Sequence, residues 1–351
     1  MKAKILKLKR SNPDPSKIHI AADAIRKGNL VVFPTETVYG IGADATNASA
    51  CKKIFKAKKR PSDNPLIVHV SDMKMAEEIA YIPKRYYKTI EKIWPAPITF
   101  IMKAKKALPS VVTSGLNTVA VRMPADKIAI RLISESGTPI AAPSANLSKK
   151  PSSTSGKHAI NYFKKSVGII LDAGPSKFGI ESTVLDLLTF TLLRPGAYTL
   201  DEITRAFGKK PGLLKETEET SKIKKPRSPG MKYKHYSPET QVLLFEGDTK
   251  EMRSILIKYK KRFVFIGSKE TASKLSGISK KNIILGRKSD RKSIARNLFR
   301  SLIDLDSLGA EFCITESFSE KDYGLAIMNR LRKASGYKYF RTAEDIQNYI
   351  K

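Results

Sequence analysis

The stretch LVVFPTETVYGIGADATNASACKKIFKAKKRPSDNPLIVHV, residues 30–70, decides the fold class. LVVF (30–33) is an apolar run of strand length, and LIVHV (66–70) is a second one. Between them Asn47 is placed to cap a helix reaching about Lys58, and Pro61 and Pro65 then force a loop. Strand, helix, strand is the order of an α/β protein, in which helices cover a sheet.

The same alternation extends both ways. Toward the N-terminus, Ser16 is placed to cap a helix through Arg26, with Gly28 as its stop. Toward the C-terminus, helices are expected at about 72–80, 83–94, 126–136 and 156–165, and strands at 98–103, 119–123, 139–143 and 167–172. A hairpin of STVLDL and FTLLRP and a helix at 200–207 close this part. From Gly208 the segment containing KETEETSKIKKPRSPG turns charged and rich in Ser and Pro, the composition of a linker. Beyond it VLLFEG, FVFIGS, NIILG and FCITES alternate with helical patterns, which predicts a small parallel sheet. The expected division is a first domain over 1–207, a linker over 208–240 and a second α/β domain over 241–351. A length of 351 residues itself favours two cores over one.

With 41% hydrophobic and 28% charged residues the chain is globular, and global disorder is excluded. Lys and Arg number 65 against 33 Asp and Glu, a formal charge of +32, which attracts nucleotides, nucleic acid or anionic surfaces without choosing among them. No apolar run approaches the roughly 20 residues of a membrane span, and MKAKILKLKR has no apolar core of a leader, so a cytoplasmic protein with no membrane partner is expected. Cys51 and Cys313 lie too far apart in sequence to read as a disulfide framework or zinc site. His19, His69, His158 and His235 lack the spacing that puts two ligands on one helix face, so no protein-held transition metal is expected.

Four loops carry the chemistry. FPTETVYGIGADA (33–45) places Thr35, Thr37 and Tyr39 in a glycine-bearing turn after the first strand, where open α/β sheets bind ligands. Between Thr46 and Ser62 lie six basic residues, Lys52, Lys53, Lys56, Lys58, Lys59 and Arg60, and no acid; Lys58, Lys59 and Arg60 are consecutive, so one helix face cannot hold them all. A lysine point charge beside an arginine fork suits a polyphosphate. APSANLS (142–148) sets Ser144 and Asn146 in a turn of small residues with open N–H groups, a shape that binds anions. GPSKFGIESTVLD (174–186) brings in Ser182, and LLRPG ends on Arg194. No phosphate loop of the G-x-x-x-x-G-K-[ST] type, no G-x-G-x-x-G and no G-x-S-x-G occurs, so a site that binds and orients anions without a covalent nucleophile is expected.

Taken in order, PTETVYGIG (34–42), KAKKRP and NPLIVH (56–69), TVAVRMP (118–124), APSAN (142–146), GIESTVLD (179–186) and LLRPG (192–196) resemble the Sua5/YrdC family of threonylcarbamoyl-AMP synthases. SPGMKYKHYSP (228–238) and GLAIMNRLRKAS (324–335) resemble its longer Sua5 form. The resemblance implies a YrdC-like twisted open α/β sheet, a linker and a smaller Rossmann-like α/β Sua5 domain. It implies that ATP with Mg2+, L-threonine and bicarbonate or CO2 give threonylcarbamoyl-AMP and pyrophosphate. The product would pass to a threonylcarbamoyl transferase complex, for t6A modification at position 37 of ANN-decoding tRNAs; direct contact with tRNA stays open.

The roles carried over are as follows. Lys58 and Arg60 serve catalysis and the triphosphate; Asn64, Thr118, Ser144, Asn146, Ser152 and Arg194 complete the ATP side. Thr35, His69, Arg122 and Ser182 surround threonine, with Arg122 on its carboxylate. Separately, the Pro, Gly and aromatic content of the linker suggests that it folds back over the pocket, with Met231, His235 and Tyr236 expected as a lid. The alternative is an RNA-binding protein using a basic concave surface, which the charge favours and the motifs do not.

Overall fold

A computed structural model describes residues 2–214 and 236–350. The chain falls into two units: the first takes the described residues through Ser148 and from Ser152 to Leu214, the second Lys149–Pro151 and the described residues from Tyr236 onward.

The first unit is built on one twisted mixed sheet. Its strands run in the order Lys4–Lys7, Ile169–Asp172, Val31–Phe33, Gly40–Asp44, Ile140–Ala141, Ile67–His69, Thr118–Arg122, Ile98–Ala104, Thr183–Asp186, Thr191–Arg194 and Gly212–Leu213, with Ala80–Tyr81 pairing on Ile98–Ala104. The helices Pro15–Arg26 and Lys127–Ser136 cover one face, burying Ile18, Ile25, Leu132 and Ile133 over Val31, Phe33 and Leu171. Each such side chain taken from water contributes about 1.5–3 kcal/mol.

Three local expectations are corrected. The cap of the first helix is Asp14, not Ser16, because the Asp14 carboxylate accepts both the Ser16 N–H and its hydroxyl. The segment 33–45 is not one turn: residues 40–44 form a strand antiparallel to Val31–Phe33, with Val31 opposite Gly42. Gly42 is there for space, since a Cβ would lie 2.6 Å from Ile140 Cγ2 and 2.7 Å from the Phe33 ring. The linker does not begin at Gly208, because Gly212–Leu213 pairs in parallel with Thr191–Arg194.

The helix Ala48–Lys58 starts at its Asn47 cap and stops without glycine or proline. Lys59 takes the left-handed conformation at φ 51°, and the Arg60 N–H returns to the Phe55 carbonyl. That reversal splays the three consecutive cations: Lys58 is buried, Lys59 exposed and Arg60 half-buried.

Among the described residues the second unit carries five strands, all parallel, in the order Lys281–Gly286, Phe263–Ser268, Phe312–Glu316, Gln241–Phe245 and Tyr339–Phe340. Its core is aromatic, with Phe245, Phe263, Phe265, Phe312 and Phe340 buried among Leu243, Ile314 and Ile346. No helix among the described residues is long and apolar enough to cross a membrane. Cys51 and Cys313 are both buried free thiols, and burial pushes the Cys51 thiol up to about 12.

Candidate active site

The cationic end of the site forms where the helix Ala48–Lys58 meets the turn after Ile140–Ala141. Lys58 is 2% exposed, and its ammonium donates to the backbone carbonyls of Ser144 and Asn146. Burial, and secondarily the nearby Arg60, hold its pKa well below the ordinary lysine value. Arg60 donates through Nη2 to the carbonyls of Asn64 and Pro65, each at 3.2 Å. Ser144 donates its hydroxyl to Asn146 Oδ1 at 2.6 Å, and Asn146 Nδ2 donates to the Leu147 carbonyl. Lys58, Ser144 and Asn146 are thus one cluster, and Arg60 with Asn64 another.

The second group follows from register. His69 lies opposite Arg122 on neighbouring parallel strands, Thr99 opposite Val184, and Val184 opposite Arg194. With side chains alternating along each strand, His69, Arg122, Thr99, Ser182 and Arg194 share one face of the sheet. They also share one end, beyond an apolar patch of Ile67, Ile101, Ala120 and Val184. Thr118 lies four residues from Arg122 at the other end of its strand, half-buried, about 13 Å away at the usual rise per residue.

Within that group Arg194 donates through Nε to the Ser182 carbonyl at 3.0 Å and through Nη2 to its hydroxyl at 3.1 Å, while that hydroxyl also pairs with Thr99 at 2.8 Å. Arg194 and Ser182, assigned by resemblance to different substrates, therefore act as one bonded unit. His69 is 4% exposed, and burial, then the neighbouring Arg122, push its pKa down to about 3, so its imidazole is neutral at physiological pH. Ser152 donates to Glu181 Oε1 at 2.6 Å. Thr35 spends its hydroxyl on its own turn, donating to the Val38 carbonyl and accepting from the N–H groups of Thr37 and Val38.

The loop from Pro34 to Tyr39 is pinned by main chain. Phe178 N–H donates to the Glu36 carbonyl, Gly179 N–H to that of Thr37, Tyr39 N–H to that of Ser153, and Ala145 N–H to that of Tyr39. It carries a group that the sequence reading passed over: Glu36, 3% exposed, lies with Oε1 2.6 Å from Arg122 Nη2. The contact is an ion pair with poor hydrogen-bond alignment. Among the described residues, both Glu36 oxygens, Arg122 Nε and Nη2, and His69 Nδ1 are buried without a hydrogen-bond partner. The signal available in sequence was a lone carboxylate between two threonines.

The remaining lid and lysine assignments divide. Met231 and His235 lie outside the described residues, whereas the Tyr236 ring packs 4.9 Å from Phe299 within the second unit and is buried there. Lys53, Lys56 and Lys59 face a surface cavity of about 600 Å3 beside Leu147 and Tyr162, complementing the helix C-terminus. No group of three or more His, Cys, Asp or Glu is placed to hold a metal ion among the described residues.

Gly196 fixes how close the Arg194 turn comes to this site. A Cβ there would lie 2.4 Å from Thr183 N and 2.6 Å from the Glu181 carbonyl oxygen, both rigid backbone. Gly196→Ala is expected to cost about 1–3 kcal/mol and to displace Ser182, lowering turnover and melting temperature together. An unchanged melting curve would overturn that account.

Fold and site together define an α/β protein with the buried cations Arg122 and Arg194 on one sheet face and a buried lysine, Lys58, at an adjoining helix end. A family model described as "Telomere recombination" matches residues 23–196, and one for the threonylcarbamoyl-AMP synthase C-terminal domain matches 198–336. The chain belongs to the Sua5/YrdC family of threonylcarbamoyl-AMP synthases. It is 42% identical to the threonylcarbamoyl-AMP synthase of Pyrococcus abyssi, covering 93% of this chain and 96% of the relative. The Bacillus subtilis synthase is 41% identical, covering 94% and 96%. The crystal structure of P. abyssi Sua5 complexed with L-threonine superposes with a TM-score of 0.88 at 40% identity, covering 97% of this chain and all of that one.

Proposed function

We propose that the chain condenses ATP, L-threonine and bicarbonate or CO2 into threonylcarbamoyl-AMP, releasing pyrophosphate. The observation that carries the reading is the placement of a buried lysine, Lys58, against the turn of Ser144 and Asn146 while a buried arginine, Arg122, stands on the adjoining sheet. The threonine complex of the P. abyssi relative supports the amino-acid half.

In this reading Lys58 exchanges the carbonyls of Ser144 and Asn146 for phosphate oxygens, and a desolvated ammonium stabilises developing charge more than a hydrated one. Arg60 neutralises the departing pyrophosphate, and Asn64, Thr118, Ser144, Asn146 and Ser152 line the nucleotide side. Arg122 takes the threonine carboxylate by its fork, and neutral His69 stands beside it as a hydrogen-bonding partner. Arg194, through Ser182, joins the two halves. A carbamate oxygen attacks the α-phosphorus in line with the leaving pyrophosphate, so the protein supplies position and charge. Mg2+ bound with the triphosphate would supply further neutralisation of its charge beside Lys58 and Arg60.

The product is the class of mixed anhydride that a threonylcarbamoyl transferase complex consumes in t6A formation at position 37 of ANN-decoding tRNAs, and the proposed location is the cytoplasm. The test is incubation with ATP, Mg2+, bicarbonate and labelled threonine. Threonine-dependent pyrophosphate release with a labelled adenylate is expected, and absence of both removes the proposal.

A further inference from the structure

Glu36 and Arg122 are the most under-satisfied polar groups of the site. A buried ion pair persists when hydrogen bonds complete its geometry, because taking both charges from water costs several kcal/mol each. Here the charges touch at 2.6 Å, yet both Glu36 oxygens and two Arg122 nitrogens have no hydrogen-bond partner among the described residues. The loop that carries Glu36 is fixed at the carbonyls of Glu36 and Thr37, so its misalignment is set by the main chain. The other charged or titratable groups about Glu36 are Asp126, paired in turn with Arg10, and His69 beside Arg122. Asp126 is already committed to Arg10 and to the N–H groups of Ile128 and Ala129, and His69 is neutral.

Resting on the proposed reaction, we infer that Glu36 receives the α-ammonium of threonine and takes a proton from it, while Arg122 receives the carboxylate. An amino-acid zwitterion carries its two charges on adjacent carbons of one short frame, and the pair presents the complementary charges side by side. The arriving zwitterion thus completes both groups at once: its carboxylate meets the unmatched Arg122 nitrogens, and its ammonium meets the unmatched Glu36 oxygens. Carbamate formation needs a free lone pair on nitrogen. Glu36 accepts one N–H proton, and the lone pair forms the N–C bond to CO2. One C–O π pair moves onto oxygen, and the second proton released from nitrogen leaves to water. Glu36 thereby makes the site selective for amino acids over hydroxy acids of the same shape, and it serves as the proton acceptor of the first chemical step.

The test compares wild type, Glu36→Gln and Glu36→Asp in threonine-dependent pyrophosphate release at saturating ATP, from about pH 6.5 to about pH 9.5, spanning the amine range. Glu36→Gln is expected to lower kcat/KM for threonine by about 10^2 or more near neutrality, the usual scale of lost acid–base help. The deficit should shrink at least about tenfold as the substrate amine deprotonates itself at high pH. Inhibition by 2,3-dihydroxybutanoate, which lacks the amine, should tighten in Glu36→Gln relative to wild type. A purely structural counter-ion would give a deficit constant with pH and no gain toward the hydroxy acid, and either result overturns the inference. Should Glu36→Gln fail to fold, Glu36→Asp keeps the charge and withdraws it by one methylene. A rise in threonine KM without loss of nucleotide binding then supports the inference, and wild-type kinetics overturn it. Wild-type activity with an unaffected Glu36→Gln removes only the role of Glu36, whereas an inactive wild type removes the proposed reaction as well.

Discussion

Lys58→Met should lower pyrophosphate release by about 10^2–10^3, the scale of removing one preorganised donor to developing charge, while leaving the fold intact. The stability change is small because two effects oppose. Methionine removes an ammonium buried at 2% exposure with Arg60 nearby, which relieves desolvation and like-charge repulsion. It also deprives the Ser144 and Asn146 carbonyls of their donor, at about 1–3 kcal/mol each. A net change of about 1 kcal/mol moves the melting temperature by only about 2–4 °C in a domain of this size.

The pH dependence separates the two effects. The folded pKa of Lys58 lies below the unfolded value of 10.5, so between the two the unfolded chain binds more protons and stability rises with pH. The penalty is complete below the folded pKa and gone above the unfolded one. Lys58→Met should flatten that rise relative to wild type in denaturant titrations. Lys53→Ala serves as the control, because its ammonium caps the Gly28 carbonyl at 2.7 Å and should leave turnover near wild type. Equal losses at both positions would mean a diffuse cationic patch.

The second large effect is on stability. Arg122→Met leaves the Glu36 carboxylate buried beside no counter-charge and should cost about 3–5 kcal/mol, with threonine-dependent turnover lost. Adding Glu36→Gln should return most of the stability and none of the activity. A double-mutant cycle by chemical denaturation reads the coupling directly, and additive losses would overturn the pair as an energetic unit.

Much of this was legible in residues 30–70. The apolar runs, the Asn47 cap and the two prolines fixed a strand, a helix ending at Lys58 and a strand ending at His69. The consecutive cations announced divergent directions, and the left-handed Lys59 is how the backbone provides them. The strand over residues 40–44 was hidden because its glycines answer to the Phe33 ring and Ile140, contacts remote in sequence. Glu36 was hidden for the same reason, since its meaning comes from Arg122, 86 positions away by the difference of their numbers. The hydroxyl of Thr35 is visible in sequence as a ligand group, while its bond to the Val38 carbonyl is not. Tyr236 belongs with the linker by sequence, whereas an aromatic partner at Phe299 draws it into the second unit.

The pinning of the loop from Pro34 to Tyr39 by four main-chain bonds bears on what the enzyme accepts. Those anchors are main-chain bonds, and the Thr35 hydroxyl adds bonds inside the loop to the Val38 carbonyl and the N–H groups of Thr37 and Val38. If threonine binds beside Glu36 as proposed, a bulkier amino acid that displaced this backbone would have to break several of these anchors at once.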